Sequence, residues 1–130
     1  MKSMKRLITV LALTVGALAV PATAQAAPQL ATGYWNSWTL EGWATTQFKS
    51  STGHVDIWSY CRPMSNKVTG QKVHVIWNKA IRKSYTLPCD RAGHWVRRAA
   101  VPRGVPVYMS TQPLGDRALG RTSVYGQGTR

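Results

Sequence analysis

The residues whose types could support catalysis are three histidines and four acids. His54 and Asp56 are two positions apart, so on a β-strand both side chains would lie on one face, the arrangement in which a carboxylate can orient an imidazole. A hydrolase would also need a nucleophile, and the chain contains no Gly-x-Ser-x-Gly elbow. We therefore expect a protein that is not an enzyme, with a small hydrolase using this His/Asp dyad as the alternative.

The histidines recur every twenty residues, at His54, His74 and His94, and three histidines can form a metal site. Equal spacing is also what successive hairpins of equal length would produce. The sequence has no His-x-His or His-Glu-x-x-His motif, and it lacks the glycine patterns that bind phosphates and dinucleotides. We expect neither a metal nor a cofactor.

Nine polar or aromatic side chains form the surfaces where we expect ligand binding: Tyr34, Trp35, Trp38, His54, Asp56, Trp58, Tyr60, His74 and Asn78. The first three form an aromatic cluster that could dock a partner or accompany a strand donated to one. The next four share one face of a strand, because side chains alternate. The last two would join them if their strands are neighbours. Three or four of the six tryptophans should nonetheless be buried as core fillers.

Short strands must position these side chains, since alternating runs separated by turn residues recur and no segment has sustained helical periodicity. The predicted strands are 33–40, 43–49, 54–61, 72–79, 81–87, 94–101, 105–111 and 122–125. Segment 114–121 could be a helical turn or a loop, and 127–130 a frayed tail. Seven or eight short antiparallel strands predict an all-β fold, either a small two-sheet β-sandwich or a barrel.

The first 26 residues have the organisation of a signal peptide. A basic start precedes an uncharged apolar run at 7–20, and Ala-Gln-Ala at 24–26 supplies the small residues of a cleavage site. That run is shorter than the about 20 residues that a membrane-spanning helix needs. Cleavage after residue 26, or alternatively after residue 24, would leave one secreted β domain, 27–130, without a transmembrane segment.

Two cysteines remain after processing, and export would place them in an oxidising compartment. Cys61 and Cys89 should therefore form one disulfide. Closing a loop of about 29 residues would stabilise the fold by about 3.5 kcal/mol in the chain-entropy account.

The chain is strongly basic, with 17 Lys and Arg against four Asp and Glu and a formal net charge of +13. Three of the basic residues precede residue 7, so the secreted part retains 14 against four, a net charge of +10. Such a field attracts anions. Outside a cell these include wall polymers, anionic glycans, headgroups and acidic proteins.

Basic and aromatic residues interleave most densely in one segment, at Arg91, His94, Trp95, Arg97 and Arg98. Interleaving of this kind is typical of nucleic-acid surfaces. On a regular strand, however, Arg97 and Arg98 would point to opposite faces and could not line one groove. Because export also argues against nucleic acid, we do not expect it as the natural partner.

Three features resemble small secreted proteins of actinobacteria such as Streptomyces: the segment Ala-Thr-Ala-Gln-Ala-Ala-Pro at 22–28, the Cys61/Cys89 pair and a basic, tryptophan-rich body. Such proteins include lectin-like modules, protease inhibitors and adaptor subunits of secreted toxin complexes. The resemblance implies a binding protein of this general kind.

We therefore expect a secreted, non-catalytic binding or adaptor module that engages another extracellular protein. One alternative is a carbohydrate-binding or cell-wall-binding module that uses Trp58 and Tyr60. A second is a protease inhibitor that presents the loop 62–70 to an enzyme, and the third is the hydrolase considered above.

Overall fold

The computed structural model describes residues 27–36 and 43–130, so the predicted signal peptide lies outside the described residues. Within that part of the chain all regular structure is β-strand, and the pairings between strands are antiparallel. The strands are β1 (Gln29–Asn36), β2 (Trp43–Ala44), β3 (Lys49–Ser50), β4 (His54–Pro63), β5 (Gly70–Trp77), β6 (Ala80–Leu87), β7 (Gly93–Ala100), β8 (Tyr108–Leu114), β9 (Ala118–Tyr125) and β10 (Gly128–Thr129). The predicted all-β class is confirmed.

Two four-stranded sheets account for most of these strands. Sheet A has the order β1-β9-β4-β7, sheet B has the order β2-β8-β5-β6, and β10 pairs with β3 in a two-stranded ribbon. Apolar residues of both sheets share one core cluster, so the arrangement is consistent with the predicted small β-sandwich. No helix that could cross a membrane occurs in 27–36 or 43–130.

Strict alternation along β4 explains which side of sheet A meets the core. Val55, Ile57, Ser59 and Cys61 are all buried, while the residues between them are only half-buried. This confirms the inward face predicted from the sequence. The core cluster comprises Leu30, Ala31, Phe48, Val55, Ile57, Val73, Val75, Ala99, Val101, Val107, Met109 and Val124.

A buried polar chain crosses the core from one sheet to the other. The Ser59 hydroxyl donates to Gln71 Oε1 at 2.6 Å, so its oxygen must accept from Thr122 at 2.8 Å, and Thr122 must in turn accept from Thr111 at 2.7 Å. The Gln71 amide also donates to the carbonyl of Pro88 at 2.9 Å. Hydrogen bonds with a single direction reinforce one another, and this chain fixes the register between the sheets.

The predicted disulfide between Cys61 and Cys89 is confirmed, with 4.7 Å between the two Cα atoms. It connects the end of β4 in sheet A to the segment that follows β6 in sheet B. Trp35 and Ala118 are buried beside it in a second, smaller core cluster.

Three local expectations are corrected by strand pairing. Residues 118–121 belong to β9, which pairs on both sides, and Gly115 at φ +95° makes the turn that leads into it. The carboxyl-terminal tail is partly ordered, because Gly128–Thr129 pairs with Lys49–Ser50. The predicted strand 43–49 divides into two short strands, β2 and the start of β3.

Candidate functional site: the outward face of sheet A

The outward face of sheet A collects aromatic and basic side chains from four strands. Register places Tyr34, Arg121 and Tyr60 in one row across the sheet, and Trp58 directly opposite Trp95 in the next. We call this surface the aromatic face. Its residues are Tyr34, His54, Asp56, Trp58, Tyr60, Trp95, Arg97, Arg98, Arg121 and Tyr125.

The centre of the aromatic face is a pair of nearly parallel rings. Trp58 and Tyr60 have ring centroids 6.4 Å apart and an interplanar angle of 14°. The indole of Trp58 extends over Gly93 of the neighbouring strand, where a Cβ atom would lie 2.1 Å from its Nε1. Glycine is therefore required at residue 93 for the ring to cover the sheet in this way.

One end of the aromatic face combines Trp95, Arg97 and Tyr125. The Arg97 guanidinium lies 3.9 Å from the centroid of the Trp95 ring, a close cation–π contact, and the Trp95 and Tyr125 rings are 5.5 Å apart. Trp95 is 42% exposed. Together with Asp56 these side chains line a depression of about 410 Å³.

The opposite end of the face is built around Arg121. Its guanidinium lies 5.1 Å from the centroid of the Trp58 ring and 5.7 Å from that of Tyr34, and its Nη1 is 3.5 Å from the Tyr34 hydroxyl. These three side chains and Tyr60 line a second depression, of about 210 Å³. Tyr34 is 70% exposed, so its ring projects from the sheet.

A β-bulge brings two consecutive arginines to the same side of β7. Val55 pairs with Ala99 but Ile57 pairs with Val96, so Asp56 faces both Arg97 and Arg98. The expectation that these arginines point to opposite faces is therefore wrong. Arg98 adopts φ 54° and donates its amide hydrogen to Asp56, while Arg97 Nη1 lies 3.4 Å from the same carboxylate.

His54 and Asp56 lie on one face, as predicted, but they have separate partners. Arg98 donates from Nη1 to Nε2 of His54 at 3.1 Å, which requires an unprotonated nitrogen at that position. Asp56 accepts from Arg98 and Arg97 instead of orienting the imidazole. Among the described residues, the hydrogen bonds of Asp56 therefore go to β7, while the His54 ring contacts the Arg98 guanidinium.

His74 and Asn78 do not join this surface, because β5 belongs to sheet B. The two ring nitrogens of His74 contact Ser84 at 2.7 Å and Gln112 at 2.9 Å on the outward face of that sheet. Asn78 lies in the exposed turn between β5 and β6, with φ 51°. The expectation that they lie beside His54 and Trp58 is corrected by the position of β5.

The predicted aromatic cluster at the amino end is only partly on the surface. Tyr34 faces outward, but Trp35 is 2% exposed and packs over Gly120 on the inner side of sheet A. Trp35 therefore does not lie on the predicted docking surface, and Trp38 lies outside the described residues. Among the four tryptophans whose side chains are described, Trp35 alone is buried.

Five residues of the aromatic face were missed as binding candidates: Trp95, Arg97, Arg98, Arg121 and Tyr125. For Arg121 and Tyr125 the signal was present, because extending the predicted strand 122–125 back to 118 would have shown both on one face. The position of Trp95 depends on its pairing with Trp58, which requires the strand order.

Two carboxyl groups outside the aromatic face have shifted pKa values. A side-chain hydrogen bond from His94, at 2.7 Å, lowers the pKa of Asp90 below its ordinary value. The Ser65 hydroxyl likewise lowers the pKa of Asp116. Asp90 is exposed and Asp116 is half-buried, and each carboxylate accepts hydrogen bonds from its own loop or an adjacent one. The described residues include no cluster of three or more side chains that could hold a metal ion.

Comparisons of the chain with protein-family models, with curated proteins and with solved structures find no match.

Proposed function

We propose that the chain is an exported, non-catalytic binding module that engages another extracellular protein through the aromatic face. The observation that carries the proposal is the concentration of five aromatic rings and three arginines on one outward sheet face. Tryptophan, tyrosine and arginine dominate the residues that contribute most to protein–protein binding. On the outward face of sheet B, by contrast, the polar side chains of His74, Ser84 and Gln112 contact one another.

The contacts within the face also support binding rather than catalysis. Cation–π contacts hold Arg97 and Arg121 against neighbouring rings, so less side-chain entropy would be lost on binding. The carboxylate of Asp56 is already engaged by two arginines, which leaves it poorly placed to act as a general base.

Charge indicates the kind of protein surface that fits. Arg97, Arg98 and Arg121 share the aromatic face with a single acid, Asp56. An acidic partner would complement these cations, and the excess positive charge of the whole chain would accelerate its association.

Cross-linking from defined positions tests the proposal. A photoreactive phenylalanine analogue replaces Tyr34 on the aromatic face or, as the control, Thr86, an exposed residue of β6 in sheet B. In culture supernatant we expect one stoichiometric protein cross-linked from residue 34 and none from residue 86. The expected product should also disappear when Trp95→Ala is added. No product, or equal products from both positions, would refute the proposal.

A glycan is the second candidate, and one observation favours it. The nearly parallel rings of Trp58 and Tyr60 form a flat apolar strip of the kind on which sugar rings stack. Sedimentation with purified cell wall tests this candidate. Binding that persists at 1 M salt and is lost in Trp58→Ala would support a glycan, whereas binding abolished by salt would reflect net charge.

The inhibitor alternative receives less support from the loop 62–70. The amide of Met64 already donates to the carbonyl of Arg117 at 2.9 Å, and the amide of Thr69 donates to Leu114 at 2.8 Å. A protease reads an extended inhibitor segment through free backbone groups. In this loop the backbone groups on both sides are used by the β8–β9 hairpin.

A further inference from the structure

The three arginines of the aromatic face differ in the partners of their guanidinium groups. Nη1 of Arg97 lies 3.4 Å from the Asp56 carboxylate, and Nη1 of Arg98 donates to Nε2 of His54 at 3.1 Å. Among the described residues, no carboxylate lies within ion-pair distance of Arg121. Arg121 is surrounded instead by the rings of Tyr34, Trp58 and Tyr60.

We infer that the depression around Arg121 is a carboxylate-binding site, which receives an acidic side chain of the partner protein; this inference rests on the proposed function. A guanidinium presents its donors as a planar fork that matches both oxygens of a carboxylate. The rings hold the fork in place, and they reduce its exposure to water, which strengthens the interaction with an incoming anion.

The size of the depression fits a single side chain. Its volume of about 210 Å³ lies below the roughly 300–1,000 Å³ of sites that hold drug-sized ligands. Tyr34, Trp58 and Tyr60 would contact the methylene groups of the incoming side chain while Arg121 binds its carboxylate. A site with one cation and three rings favours an acidic group with a short apolar stem.

The length of sheet A fits an extended segment of the partner, to which this acidic residue would belong. Strands of about eight residues at about 3.3 Å each give the face a length of about 26 Å along the strands. An extended acidic segment of about eight residues has the same length, so it could lie along the face with the Arg121 site as its anchor.

Calorimetric titration of the secreted chain with an acetylated, amidated octaglutamate peptide tests the inference. We expect Arg121→Gln to weaken binding at least tenfold at 0.15 M salt. The matched control is Arg82→Gln, which removes the same charge from a guanidinium 5.8 Å from the Trp77 ring on sheet B. That control should weaken binding less than threefold, and Arg121→Lys should fall between the two because a lysine lacks the fork.

A direct readout accompanies the titration. In an NMR spectrum of arginine Nε–Hε groups, the signal absent from Arg121→Gln identifies Arg121, and octaglutamate should shift this signal more than the others. Near-ultraviolet circular dichroism establishes that each variant retains the folded aromatic packing. A peptide of alternating Gln and Ser should leave the spectrum unchanged.

Three results would overturn the inference. Equal losses in Arg121→Gln and Arg82→Gln would show attraction to net charge alone. Octaglutamate binding that does not depend on Arg121, combined with Arg121-dependent binding of polygalacturonate, would assign the site to acidic sugars. Octaglutamate binding that does not depend on Arg121, combined with Arg121-dependent binding of octathymidylate, would assign the site to nucleic acid. In each case the cross-linking from residue 34 can still succeed, so failure of this inference is distinguishable from failure of the proposed function.

Discussion

The amide nitrogen of Arg98 donates a 2.8 Å hydrogen bond to Oδ1 of Asp56, and Arg98 adopts φ 54° to make it. This bond closes the β-bulge that turns both Arg97 and Arg98 outward. A left-handed backbone conformation is unfavourable for an arginine, so the carboxylate has to compensate for it. The positive surface of the aromatic face thus depends on its single acid.

Replacing Asp56 with alanine should lower the free energy of unfolding by about 1–2 kcal/mol, because the Arg98 amide loses its acceptor while its backbone strain remains. Arg98→Gly keeps the amide donor and removes the strain, so it should be neutral or slightly stabilising. Urea denaturation measures both. Unchanged stability in Asp56→Ala would mean that the bulge is held by the strand pairs alone.

The bulge also explains why the sequence predicted the side-chain orientations of β4 correctly but those of Arg97 and Arg98 incorrectly. Alternation correctly identified the inward face of β4, because the extra residue of the bulge lies in β7 and leaves the alternation along β4 unbroken. In β7 one extra residue reverses the side of the sheet to which each following side chain points. No local sequence pattern at Arg97 or Arg98 indicates this insertion.

The sequence also did not predict which strands belong to the same sheet. β4 and β5 are consecutive long strands, yet they lie in opposite sheets, and His74 therefore points away from the aromatic face. Consecutive strands are often neighbours, but that tendency does not decide any individual pair. The fold class and the disulfide depended only on local alternation and cysteine count, and those two predictions are confirmed.

Gly93→Ala should disturb the aromatic face more than the core. The added Cβ would occupy the position of the Trp58 indole, so that ring must tilt away from the sheet. We expect a changed near-ultraviolet circular dichroism signal and weakened partner binding. The control is Gly126→Ala, whose Cβ would meet its nearest atom, Val55 Cγ1, at 3.4 Å. Equal spectra for Gly93→Ala and the unmodified chain would contradict the stacking described for Trp58.

Thr122→Val should destabilise the fold by about 1–3 kcal/mol, although it preserves shape, because the buried hydroxyl of Thr111 loses its acceptor and Ser59 loses a donor. Thr86→Val, on the exposed side of β6, should change stability by less than about 0.5 kcal/mol. Thermal and urea unfolding of the pair provide the comparison. If the free energies of unfolding of the two variants differ by less than about 0.5 kcal/mol, the buried polar chain does not contribute to stability.

Ser65→Ala should raise the pKa of Asp116 toward the ordinary value of 3.8, since the hydrogen bond from Ser65 is the main cause of its depression. A lowered pKa means that the ionised carboxylate is favoured by folding. Its contribution is therefore present above pH 3.8 and is lost as the pH falls through the folded value. Titration of the carboxyl carbon by NMR measures the shift. An unchanged pKa for Asp116 would exclude Ser65 as its cause, and Asp90, held by His94, serves as the internal reference.

Removal of the disulfide should be the most damaging of these changes. The Cys61–Cys89 bond closes a separation of 28 residues and connects the two sheets beside Trp35. The double variant Cys61→Ala/Cys89→Ala should lose about 3–4 kcal/mol, chiefly because the unfolded chain gains freedom. Urea unfolding measures this loss. Compared with the oxidised chain, both the double variant and the reduced protein should unfold at a lower urea concentration. A loss in the reduced protein but not in the alanine variant would instead point to repulsion between buried thiols, and stability preserved in both would show that packing around Trp35 holds the sheets without the bond.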